Sequence, residues 1–147
     1  MKIYIFSILS LLSIGILHAQ DIYQEQVPSI VLNNFTADFE GAKDIEWERN
    51  NAHYVVEFEM GWGNDHEIWY TAGGDVVLHE EDYSVMDLPD TVRERLNDDF
   101  KGYSIDDLVK ITKKDQVVYE MELNSFFKKD WEVVIDQGGS VMEKRLD

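Results

Sequence analysis

Apolar residues recur every four positions in two stretches of the chain: Val31, Phe35 and Phe39, then Val92, Leu96 and Phe100. That spacing lays one apolar stripe along one side of a helix in each stretch. Polar residues fill the opposite sides, Asn33, Asp38 and Glu40 in the first and Arg93, Asp98 and Asp99 in the second. Each stretch opens on a proline, Pro28 or Pro89, which a first helical turn tolerates because its N–H would have no partner there. Each is followed by a glycine, Gly41 or Gly102, suited to a left-handed C-cap.

Beyond each helix the apolar period shortens to two, the mark of strands with one buried face. Four strands are predicted after the first helix, at Asp44–Arg49, His53–Met60, Glu67–Ala72 and Val76–Glu80. Four more are predicted after the second, at Asp107–Thr112, Val117–Leu123, Trp131–Asp136 and Val141–Lys144. The paired glycines of Ala72-Gly73-Gly74-Asp75 and Gln137-Gly138-Gly139-Ser140 accept the positive φ that hairpin turns need. The pattern predicts an α+β fold of two tandem αββββ repeats. Both helices pack on one face of antiparallel sheet, and the two sheets either join edge to edge or pack side by side.

Ordered matches between the halves support the duplication: Val27-Pro28 with Leu88-Pro89, Phe39-x-Gly41 with Phe100-x-Gly102, and Asp65-His-Glu67 with Asp130-Trp-Glu132. The repeats are read as residues 27–86 and 87–147, preceded by a linker over 20–26. Residues 1–19 read as a signal peptide: Met1-Lys2 is a short basic start, Ile3 to Leu17 is apolar apart from Ser and Gly, and Ala19 suits a cut before Gln20. The apolar run is shorter than the ~20 residues of a spanning helix, so the expectation is a periplasmic or secreted protein with no stable membrane insertion after cleavage.

Strand register sorts the remaining residues. Tyr54, Val56, Phe58 and Met60, like Val117, Tyr119, Met121 and Leu123, point under the helices. Val55, Glu57 and Glu59 beside Glu67 and Trp69 fall on the other face, as do Val118, Glu120 and Glu122 beside Glu132 and Val134. With helices on one side only, this second face stays open. Two hairpin tips stand out at its end: Gly61-Trp62-Gly63-Asn64, and Asn124 to Lys129 with Phe126 and Phe127 beside two lysines. Aromatics at a tip either bind a partner or fold back over the sheet edge as an extension of the core.

Composition narrows the chemistry. The absence of Cys excludes disulfides, thiol catalysis and Cys-ligated zinc. The net charge of −17 repels nucleic acid and favours cationic partners or divalent cations. No nucleophile elbow, phosphate-cradling loop or calcium loop occurs, and the spacings of His53, His66 and His79 match no zinc motif. The reading is therefore a non-enzymatic protein with no cofactor and no metal site.

The helix opening on Val-Pro or Leu-Pro, the Phe-x-Gly end, the Trp47 strand, the Glu-x-Glu strand and the Gly-Gly hairpin together resemble the PepSY-like family of exported bacterial proteins, described as similar to β-lactamase-inhibitor protein. The resemblance covers nearly all of the chain after the signal peptide. It implies a binding or inhibitory module whose sheet face and hairpin tips meet an envelope protein or peptide, here through Trp62, Trp69, Phe126 and Phe127. The alternative expectation is an acidic envelope protein that binds calcium or cationic peptides through its carboxylate rows.

Overall fold

The structure, a computed structural model, describes residues 19–147, so the expected signal peptide falls almost entirely outside the described residues. Nine strands form one antiparallel sheet whose spatial order is its chain order. They are β1 (Ala19–Asp21), β2 (Lys43–Asn50), β3 (His53–Met60), β4 (Asn64–Thr71), β5 (Val76–Asp82), β6 (Ser104–Lys113), β7 (Gln116–Asn124), β8 (Trp131–Asp136) and β9 (Val141–Leu146). Helix α1 (Ser29–Asp38) lies between β1 and β2 in the chain, and α2 (Asp90–Asp99) between β5 and β6. The two halves meet edge to edge, with His79 opposite Thr112 and Asp82 opposite Val109 on β5 and β6. No helix among the described residues is long and apolar enough to cross a membrane.

Both helices pack on the same face, over separate cores. Val31 and Phe35 of α1 bury against Trp47, Val56, Phe58, Ile68 and Tyr70. Val92 of α2 buries with Phe100 against Leu108, Tyr119, Met121, Val133 and Ile135. Each helix is also pinned to a hairpin. Asn34 donates to the Gly74 carbonyl at 3.0 Å, and Thr91 donates to the Gln137 carbonyl at 2.7 Å. Only the second glycine of each Gly-Gly turn takes positive φ, +90° at Gly74 and +84° at Gly139. At Gly139 a Cβ would stand 2.6 Å from the Thr91 carbonyl oxygen, so close approach of the helix demands glycine there.

Residues 20–26, expected as a linker, are built into the fold. Gln20 and Asp21 pair with Arg49 and Glu48, Ile22 donates to the Trp47 carbonyl at 2.9 Å, and Gln24–Gln26 form a 3₁₀ turn. The edge of β2 otherwise presents unpaired backbone groups, and three residues are too few to show a strand period. Bulges interrupt the ladder at like places in each half, between Lys43 and Glu46 on β2 and between Asp106 and Val109 on β6. Asp44 and Asp107 take positive φ within them, 49° and 45°, a conformation that short polar side chains tolerate.

Candidate functional site

The face opposite the helices carries no covering layer, yet it is not evenly solvated. Val55, Val109, Ile111 and Glu120 are buried on it. Across its first half runs a row of glutamates, one per strand: Glu46 faces Glu57, Glu57 faces Glu67, and Glu67 faces Glu80. A second line, Glu59 facing Asp65, lies beside it, and the Asp65 N–H donates to the Asp82 carboxylate at 3.3 Å. Asp44 and Asp107, carried by the two bulges, close the end. Together these side chains line a trough of about 680 Å³.

Like charges directly across a strand pair repel, and low exposure sharpens the repulsion. The Glu80 carboxyl is pushed up to about 8, first by burial and then by Glu67. Burial followed by neighbouring carboxylates raises Glu57 as well. Burial raises Glu67 despite the bond its carboxylate accepts from the Trp69 indole N–H. Among the described residues no Lys or Arg forms an ion pair with Glu46, Glu57, Glu67 or Glu80.

The second half resolves the same geometry differently. Glu132 of β8 faces Arg145 of β9, as Glu67 of β4 faces Glu80 of β5. Arg145 binds Glu132 through both carboxylate oxygens and lies 3.7 Å from Glu120. Its guanidinium, with the bond from Glu120, holds Glu132 below the usual carboxylate range despite burial. Burial and Glu132 push buried Glu120 up to about 8. One half thus neutralises its glutamates internally, and the other presents them to a trough.

The aromatic candidates divide into tips and face. Trp62, Phe126 and Phe127 are fully exposed, at 104%, 101% and 99%, so neither tip folds back over the sheet edge. In a meander, the β3–β4 and β7–β8 turns fall at the same end of the sheet, four strand spacings or about 19 Å apart. Gly63 of the first tip lines the trough. Trp69 lies on the open face beyond Glu67, half-buried against His53 at 6.0 Å between ring centres.

The family model described as "Putative beta-lactamase-inhibitor-like, PepSY-like" matches residues 16–77 and again residues 62–143. The chain belongs to this family. Among solved structures, the PepSY-like chain is similar to a BLIP-like protein from Bacteroides fragilis, with TM-score 0.64 and 17% identity over 80% of this chain and 84% of that one. It is also similar to a protein from Bacteroides eggerthii described as "putative periplasmic", with TM-score 0.67 and 18% identity over 82% of this chain and 88% of that one. No curated protein matches the chain.

Sequence reasoning about this PepSY-like chain overlooked two groups. Glu80 and Asp82 sit in a Glu-Glu-Asp run that reads as a solvated strand end, and only the junction with β6 buries Glu80. His66, His79 and Glu81 come together on the helix side of β4 and β5, although their spacing matches no metal motif. Cross-strand neighbours leave no fixed interval in a sequence. His53, the third histidine weighed with them, lies on the opposite face.

Proposed function

We propose that the protein is an exported, non-catalytic binding module, working in the periplasm or outside the cell. Its open sheet face takes a protein or peptide segment carrying basic side chains beside apolar ones. The observation that supports this reading most is the contrast between the halves: Glu80 stands where the second half has Arg145, so the first row of glutamates lacks the guanidinium that satisfies the second. A partner's Arg or Lys entering the trough would supply it, and Trp62 at the trough end with Phe126 and Phe127 at the neighbouring tip would anchor its apolar side chains. The net charge of −17 would steer such a partner toward the face.

Raised carboxyl groups also occur in active sites. An acid–base pair, however, needs neighbours pushed in opposite directions: Glu57, Glu67 and Glu80 are all pushed upward, while Glu120 and Glu132, which do diverge, have Glu120 buried and both oxygens of Glu132 held by Arg145. We read the two halves, residues 27–86 and 87–147, as copies of one αββββ unit, which the double match of the family model supports. Duplication followed by divergence of Glu80 and Arg145 would leave one unit structural and one receptive. The likeness to a Bacteroides eggerthii protein described as "putative periplasmic" supports the envelope location.

The test is a binding isotherm with a short peptide alternating Arg and Trp, measured for the wild type, Glu67→Gln/Glu80→Gln and Trp62→Ala. The reading expects salt-sensitive binding that weakens in each variant, by about 2 kcal/mol if Trp62 is an anchor. Binding that ignores both salt and these changes would discard it. A tight, stoichiometric calcium site at the row would instead favour the cation-binding alternative, although carboxylates spread along strands do not converge as a calcium loop does.

A further inference from the structure

On the helix side of the sheet, at a place where His66 and Glu81 also border the trough, the structure carries a cluster that the proposed function does not use. His66 of β4 faces Glu81 of β5 directly, and His79 sits two residues before Glu81 on the same strand face. His66 Nδ1 and His79 Nε2 lie 3.0 Å apart. One ligand atom from each histidine and a Glu81 carboxylate oxygen all fall within 4.8 Å of one another. We propose that His66, His79 and Glu81 form a binding site for a first-row transition-metal dication of the Zn²⁺ type, with a fourth position left for water or a partner's ligand atom.

Donor chemistry and spacing carry the proposal. Two imidazoles and one carboxylate are a known zinc donor set, and ligand atoms about 2.0–2.1 Å from a shared tetrahedral ion stand about 3.3 Å apart. The 3.0 Å separation of the two ring nitrogens is already close to that value. Aromatic rings wall the site: Phe58 stacks on His66 at 5.0 Å and Phe39 meets His79 edge-on at 5.7 Å. Such an apolar surround limits competing water and strengthens the bonds to the ion. Lys110 holds Glu81 Oε1 at 2.8 Å, which fixes the carboxylate while leaving its second oxygen for the ion.

A neutral hydrogen bond between the two imidazoles would also satisfy the 3.0 Å contact, but the second half shows that the fold does not need imidazoles there. Trp131 and Lys144 occupy the matching positions, since Val133 faces Lys144 as Ile68 faces His79, and Trp131 faces Leu146 as His66 faces Glu81. They close the space with a cation–π contact, Lys144 Nζ lying 4.0 Å from the Trp131 ring. The first half therefore carries two ligating side chains where the second half packs an aromatic and a cationic one.

The experiment is competition for Zn²⁺ between the purified protein and a chromophoric chelator, with excess Mg²⁺ present to occupy the carboxylate trough. Melting with and without Zn²⁺, and visible absorption with Co²⁺, supply independent readouts. The wild type is expected to take up one equivalent, melt higher with Zn²⁺ and give a tetrahedral Co²⁺ spectrum. His66→Trp/His79→Lys, which installs the second half's pair, should fold and bind at least about a hundredfold more weakly, since loss of an outer-shell partner alone costs up to that. His79→Gln gives the same answer if the double variant does not fold. No uptake by the wild type, or one equivalent retained in the variants, would overturn the proposal. His66 and Glu81 border the trough, so a separate variant keeps the two readings distinguishable: Glu67→Gln/Glu80→Gln should leave Zn²⁺ uptake unchanged, while the peptide isotherm tests the open face.

Discussion

Replacing Glu80 by Gln should stabilise the protein at alkaline pH, against the usual cost of altering a partly buried residue. The Glu80 carboxyl titrates at about 8 in the fold against an ordinary 4.5, because of burial and the facing Glu67. Between those values the folded state holds more protons than the unfolded chain, so stability is present at low pH and is lost as pH rises toward 8. Each pKa unit corresponds to about 1.4 kcal/mol, which sets a ceiling of roughly 5 kcal/mol. Water reaching the trough screens the repulsion, so a penalty on the order of 1–2 kcal/mol is expected at about pH 8. The histidines act in the opposite sense around their ordinary value of 6.5, and because both proteins carry them, the difference between wild type and Glu80→Gln from about pH 6.5 to 8 isolates the Glu80 carboxyl. Urea unfolding at both ends of that window measures the effect. Wild-type stability should fall across it, and Glu80→Gln should flatten the fall and exceed the wild type at the upper end. A flat or rising wild-type profile, or no gain in the variant, would refute the reasoning.

Five further substitutions, in three groups, probe separate parts of the account. Arg145→Met leaves Glu120 buried beside Glu132 without its cation and should cost about 3 kcal/mol at pH 8 by urea unfolding, less near pH 6 where Glu120 is protonated. Gly139→Ala should cost about 2 kcal/mol or more because the new Cβ meets backbone at positive φ, whereas Gly74→Ala meets the movable Asn34 amide and should cost less; thermal melting of the two ranks them. Trp62→Ala should change stability by no more than about 0.5 kcal/mol, while Phe35→Ala, which empties the first core, should cost about 3–5 kcal/mol in the same unfolding assay.

The parts of the fold that were legible in the sequence are those set by local periodicity. The stripe Val31–Phe35 and the alternation from Tyr54 to Met60 located α1 and β3, the latter with the observed ends. Register then placed Glu57 and Glu67 on the face opposite the helices, because a strand that buries Val56 and Phe58 has no other arrangement. What stayed hidden depends on contacts distant in the chain. The burial of Glu80 needs β6 beside β5, and β1 is ordered only because β2 offers an open edge. The distinction between Glu80 and Arg145 looks like a surface charge change until pairing sets each opposite a glutamate. The meeting of His66 with His79 requires a hairpin whose bulge shifts the register between Trp69 and Tyr70, and no residue interval announces that shift.

The central claim is that the open face and its tips, rather than the helical side, meet the partner. Site-specific photocross-linking in the native envelope tests it most directly, with a photoreactive residue placed in turn at Trp62, Trp69, Phe127 and, as the control, Glu94 on α2. The account predicts adducts with one and the same partner from the first three positions, none from Glu94, and loss of the adducts when Glu67 and Glu80 are changed to Gln. Adducts that arise from Glu94, or that persist unchanged without the two glutamates, would contradict it.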